Sequence, residues 1–198
     1  MDRISAIAAT AVVMIGLAAG GYLWFSASSE NMCSPGQVAG EALIGGPFTL
    51  TDQTGARVTE ADVFTEPSLV YFGYTFCPDV CPFDVSRNVE VIELLEERGV
   101  LATPVFVTID PERDTVENLL YYSEAMHPKM IALTGSLEDI KSAADAYRVI
   151  FQKNGEGEDY LVDHSTFTYL MDENGFQGFF RRTMSVEEIA DQVQCIVS

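Results

Sequence analysis

The stretch from Ser68 to Pro82 constrains what this chain can fold into more than any other. Ser68 to Tyr74 is a continuous apolar and aromatic run, and a run of that length without polar alternation reads as a strand buried on both faces. It passes directly into Thr75-Phe76-Cys77-Pro78-Asp79-Val80-Cys81-Pro82. Beyond it, Val85, Val89, Ile92 and Leu95 recur at helical spacing until Gly99, a natural helix stop. Proline is tolerated in the first turn of a helix, where its missing amide hydrogen is not needed, and disrupts an interior. Pro82 therefore places Cys81 at the very start of the helix. A strand of this kind feeding a helix implies a parallel core sheet covered on both sides.

The rest of the chain fits that frame. Pro104 to Ile109 reads as a second buried strand. Phe48-Thr49-Leu50, a turn at Asp52 to Gly55, and Val58 read as a hairpin. Asp114 with Glu117, Ser136 with Asp139 and Ser185 with Glu188 each set a short polar acceptor three residues before an acid, which predicts three helix starts. Phe167 to Met171 and Phe176 to Phe180 flank Asn174-Gly175, a hairpin turn signal. The predicted order is strand, helix, strand, helix, helix, hairpin, helix. That order describes an α/β chain with a thioredoxin-like mixed sheet flanked by helices.

Ahead of this body, Ile4 to Phe25 carries no charge, and about 20 apolar residues suffice to cross a bilayer. The run predicts an N-terminal transmembrane helix in residues 1–25, followed by a Ser, Gly and Pro-containing tether in 26–46 and one folded domain in 47–198. A cleaved signal peptide is the competing reading, but its apolar core is shorter, roughly 7 to 15 residues. Arg3 before the run and Glu30 after it favour a cytoplasmic N-terminus, hence a single-pass anchor with the domain on the extracytoplasmic, periplasmic side. Thirty acidic residues against eleven basic give a net charge of -19. Such a surface excludes nucleic acid as a partner, because phosphate binding rests on Lys and Arg.

The chemistry lies in the cysteine corner. A helix N-terminus carries unpaired amides and a partial positive charge, which favour thiolate, the form that attacks disulfides and binds metals. Cys77 and Cys81 are separated by three residues, whereas redox enzymes of this topology generally use two; an inert disulfide between them is the bland alternative. His164, in Val162-Asp163-His164-Ser165-Thr166, is expected on a loop before the strand near Phe167, a position that lies across a thioredoxin-like sheet from the cysteine corner. Two thiolates and an imidazole suit Cu(I), and with an added oxygen ligand Cu(II); zinc with a bound water is the other metal such a set can hold. Asp163 and Asp79 are the candidate carboxylates to orient these ligands from outside. His127, between Met126 and Pro128, is read as a helix-end residue and not a ligand.

Three blocks of sequence, Tyr71 to Pro82, Val107 to Thr115, and Asp163-His164-Ser165, resemble the Sco/SenC family, and the resemblance covers Phe48 to the C-terminus. It implies that Cys77, Cys81 and His164 are copper ligands. It further implies a membrane-anchored copper chaperone that serves the binuclear copper centre of cytochrome c oxidase during assembly. The partners implied are the copper-accepting oxidase subunit and a copper donor protein, and some relatives act instead as dithiol reductants. Sequence alone supplies no chemistry for the Val107 to Thr115 block. Cys33 and Cys195 lie outside the motif and are expected to form an extracytoplasmic disulfide, separate thiols being the alternative. A carrier of copper, a thiol-disulfide oxidoreductase in which Cys77 attacks and Cys81 resolves, and a copper or redox sensor all use the same residues.

Overall fold

The computed structural model describes residues 44–157 and 159–198, together with Gly16, Gly20 and Cys33. The chain separates into two units, Met1–Ser34 and Pro35–Ser198, and the strands and helices that follow belong to the second. The expected membrane anchor, apart from Gly16 and Gly20, and most of the tether lie outside the described residues. Among the described residues no helix is long and apolar enough to cross a membrane.

In chain order the elements are β1 (Thr49–Asp52), β2 (Arg57–Thr59), α1 (Glu60–Val63), β3 (Ser68–Gly73), α2 (Val80–Glu97), β4 (Thr103–Thr108), α3 (Val116–Met126), β5 (Ile131–Thr134), α4 (Leu137–Ala146), β6 (Phe151–Asn154), β7 (Leu161–His164), β8 (Thr168–Asp172), β9 (Gly175–Phe180) and α5 (Val186–Val197). Seven strands form one sheet in the order β2-β1-β5-β4-β3-β8-β9, and β6 pairs with β7 apart from it. The β3–β4 and β4–β5 pairs are parallel, while β8 lies antiparallel against the other side of β3. This is the mixed thioredoxin-like sheet expected, with β3 near its middle and every β3 residue buried.

Two apolar clusters hold the layers. Ile92 and Leu95 of α2 and Ile189 and Val193 of α5 join Leu69, Leu170 and Phe180 of the sheet. The larger cluster runs through Phe72, Phe106, Leu119, Leu133, Ile140, Tyr147 and Tyr169. Each such side chain, fully buried, contributes about 1.5–3 kcal/mol, so the corner between β3 and α2 is fixed to a rigid base.

Four local expectations are corrected. The strand β5, implied by the helix end at His127, is missing from the predicted order. The β6–β7 pair was absent too, because its exposed residues lack a buried alternating face. Helix α3 is capped by Thr115, whose side chain accepts from the Asn118 amide, and not by Asp114, which is buried and engaged elsewhere. In the β8–β9 hairpin the turn residues are Glu173 and Asn174, and Gly175 alone takes the positive φ, +99°. The other two predicted helix starts stand as expected, with Ser136 and Ser185 accepting from Asp139 and Glu188 amides.

Candidate metal centre

Cys77 lies within the loop of residues 74–79 that joins β3 to α2, and Cys81 sits in the first turn of α2, as Pro82 requires. The two sulfurs and one ring nitrogen of His164 all lie within 4.8 Å of one another. The Cys81 Sγ is 3.2 Å from His164 Nε2, and the Cys81 amide donates to Cys77 Sγ at 3.4 Å. Both thiols are free in this structure, with no bond between them. Gly73, the last residue of β3, makes room for this arrangement: a Cβ there would meet Cys81 Sγ at 3.1 Å, Tyr71 Cε1 at 2.9 Å and Phe106 Cε2 at 3.2 Å.

The two thiols differ in acidity. Burial opposes the Cys77 thiolate, yet the amides of Cys81 and Asp79, with the Cys81 thiol and the Tyr74 hydroxyl, hold its pKa below the ordinary thiol value. Burial pushes Cys81 well above that value, against hydrogen bonds from the Tyr74 backbone and the Tyr71 hydroxyl. Burial also depresses the His164 imidazole, so the ring is neutral at pH 7 and offers Nε2 as a ligand. The donor set of two sulfurs and one neutral nitrogen fits a soft ion such as Cu(I).

His164 is the last residue of β7, where it pairs with Phe151, and does not stand on a loop as expected. Its ring is held between the edges of Tyr71 and Tyr74, with centroids 6.0 and 6.1 Å away. Its Nδ1 lies 2.8 Å from the Ser165 carbonyl, which fixes Nδ1 as the protonated nitrogen and leaves Nε2 facing the sulfur. Asp163 does not take the orienting role expected of it: its carboxylate accepts from Asn154. Asp79 acts through its amide rather than its carboxylate. His127 caps the C-terminus of α3, its Nδ1 accepting from the Lys129 amide at 3.2 Å, as a helix-end residue should.

The block from Val107 to Thr115, silent in the sequence, proves to be the clamp on both halves of the site. Asp114, buried among hydroxyls, accepts from the Thr75 amide at 3.0 Å, from the Thr75 hydroxyl at 2.5 Å and from the Thr108 hydroxyl at 2.6 Å. It thereby ties the start of the cysteine loop to the end of β4. Asp110 accepts from the Tyr160 hydroxyl at 2.6 Å and from Arg113 Nε at 2.5 Å. The Arg113 guanidinium stacks 3.6 Å from the Tyr160 ring and 4.9 Å from Phe76. The Val162 amide donates to the Tyr74 hydroxyl at 3.3 Å. Tyr160 and Val162 belong to the segment that delivers His164, so these contacts fasten the histidine arm to the cysteine arm. Sequence reasoning missed Thr75, Asp110, Arg113, Asp114, Tyr160 and Ser165 as supports; the three quoted blocks contain all of them except Tyr160, for which no sequence signal was present.

Comparison with known proteins adds an independent line. The SCO1/SenC family model matches residues 36–198. Protein SenC of Rhodobacter capsulatus is 47% identical over 99% of this chain and 91% of its own. The crystal structure of Arabidopsis thaliana ScoI with copper bound superimposes with a TM-score of 0.74 at 44% identity, covering 78% of this chain and 98% of that one. Yeast Sco1 with copper bound gives 0.72 at 36% identity, covering 78% and 88%.

Proposed function

The chain belongs to the SCO1/SenC family, and from that premise we propose that it carries one copper ion on Cys77, Cys81 and His164 and passes it to the copper-accepting subunit of cytochrome c oxidase during assembly. The observation that carries the reading is the convergence of two free sulfurs and a neutral imidazole within 4.8 Å at a helix start. Copper-bound relatives support the choice of metal over zinc. Copper here is cargo: the protein's part is to hold it through ligands that an incoming thiolate can displace one at a time. The N-terminal anchor, the extracytoplasmic location and a Cys33–Cys195 disulfide belong to the same proposal.

Anaerobic Cu(I) titration of the reduced protein, followed by mixing with the copper-free acceptor subunit, tests it. One copper per chain and its transfer are expected. His164→Ala should weaken copper retention by at least about tenfold, the loss of one good ligand, and abolish transfer. If that variant loads and delivers copper normally, the three-ligand site is wrong.

A second reading rests on the unequal thiols. A depressed Cys77 and an elevated Cys81 are the order wanted for attack and resolution, so Cys77 can attack a target disulfide and Cys81 release the product as a dithiol. The His164→Ala variant separates the two, since dithiol exchange survives the loss of the imidazole while copper binding does not.

A further inference from the structure

Four large apolar side chains are exposed within three residues of the three ligands. Phe76 precedes Cys77 and is 53% exposed, Phe83 follows Cys81 by two residues and is 70% exposed, and Leu161 and Phe167 bracket His164 at 48% and 39%. Isolated exposed apolar residues are ordinary, but a set gathered around a reactive centre marks a contact surface.

Beside Phe83 and Phe167 the surface charge reverses. Arg87, on α2 one turn after Phe83, and Arg182, just beyond β9, both face the buried Asp84, at 3.7 and 3.8 Å. Arg87 reaches Thr168 Oγ1 and the Arg181 carbonyl, each at 3.4 Å, and its buried Nε has no hydrogen-bond partner. Arg87 and Arg182 are close enough for their charges to repel. Arg181 lies 5.9 Å over Phe179, which itself packs edge-on against Phe167. Two guanidinium groups thus share one carboxylate, and Arg181 adds a third positive charge beside Phe179, in a chain whose net charge is -19. The Phe76 side is mixed in charge, with Glu112, Asp159 and Arg113 lining the same hollow as Phe76. Phe and Arg are the residue types enriched at protein interfaces, where Lys and Glu are depleted.

We propose that the Phe83–Phe167–Arg181–Arg182 face docks a protein whose metal-exchanging thiol is rimmed by carboxylates. The identity of that protein as copper acceptor or donor rests on the function proposed above; the docking chemistry does not. A strongly acidic chain repels such a partner at long range, and a local positive edge reverses the repulsion only where contact brings the ligands together.

The test reads approach to Cys77 without copper. Two peptides carry one cysteine as a mixed disulfide with a coloured aryl thiol, one flanked by glutamates and one by lysines. The Cys77 thiolate attacks the peptide sulfur and expels the aryl thiolate. Cys81 then displaces the peptide thiol, leaving a Cys77–Cys81 disulfide, so electrons and sulfurs balance. Arg181→Glu should slow the glutamate peptide by about tenfold at low ionic strength and speed the lysine peptide, with both effects fading by 0.5 M salt. Arg57→Glu makes the same charge change near the opposite edge of the sheet, on β2, and should alter neither rate by more than about twofold. Equal effects of the two substitutions on both peptides would mean that net charge alone acts, and the docking face would be overturned. Arg182→Gln, a milder change beside Asp84, should move the rates in the direction of Arg181→Glu. Failure of the copper titration would sink the proposed function and leave this readout standing.

Discussion

Gly73 and Cys81 show how closely the site is packed at the scale of single residues. A methyl group at Gly73 would sit 2.9 Å from Tyr71, closer than real contacts allow, and 3.1 and 3.2 Å from Cys81 and Phe106, tighter than most, and overpacking of this kind costs about 1–3 kcal/mol. Gly73→Ala is therefore expected to displace the Cys81 sulfur, lowering copper affinity at least about tenfold in a chelator competition while far-UV circular dichroism stays unchanged. The raised thiol of Cys81 sets a pH dependence. At neutral pH Cys81 keeps its proton in the free protein, and a metal must expel it, so binding releases protons and tightens as pH rises. One proton corresponds to about tenfold in affinity per pH unit, and competition titrations from pH 6 to 8 should show at least that slope. The His164 imidazole adds less to the slope than an ordinary histidine would, because burial lowers its pKa.

At the scale of elements, the site is two arms and a clamp. The arm made of β3, its loop and the start of α2 brings the sulfurs, the β6–β7 hairpin brings the imidazole, and the segment after β4 holds both through Asp114 and Asp110. Removing one partner of a buried hydrogen bond costs about 1–3 kcal/mol, most of it from the groups left unsatisfied. Asp114→Asn should lower stability by about that amount and loosen the cysteine loop, with copper affinity falling in parallel. Tyr160→Phe removes only the hydroxyl bound to Asp110 at the foot of the other arm. It should weaken copper binding while leaving the Cys77 alkylation rate, a property of the first arm, within about twofold of wild type. If Tyr160→Phe changed thiol reactivity as much as Asp114→Asn, the two arms would not be separately fastened.

At the scale of the whole molecule, charge and fold pull in different directions. An excess of nineteen negative charges repels itself in the compact state. Screening at physiological salt extends only about 8 Å, so added sodium chloride should relieve that repulsion. Thermal unfolding of the apo protein is expected to shift upward by several degrees between about 0.02 and 0.5 M salt, read by calorimetry. A fall in melting temperature over that range would show that the exposed ion pairs, such as Lys129–Glu96 and Lys153–Glu112, outweigh the net repulsion. The seven-stranded sheet and its two clusters are the part that salt should leave alone, because their stability comes from apolar burial.

The sequence by itself determined the β3 strand, the helix beginning at Cys81, two of the three expected caps, the late hairpin and the identity of the three converging side chains. All of these except the last are encoded within a few residues, in hydrophobic period, in Pro82, or in a hydroxyl three positions before an amide. The pairing of Cys81 with His164 was legible only because the predicted topology set one arm across from the other. Only the tertiary structure decided that Asp114 binds Thr75 and leaves α3 to Thr115, that Asp110 holds Tyr160, and that Ser165 rather than Asp163 orients His164. The first two choices join residues 39 and 50 positions apart. A carboxylate's preference for a local amide or a distant hydroxyl depends on which one the packed sheet brings within 3 Å, and no local pattern carries that information.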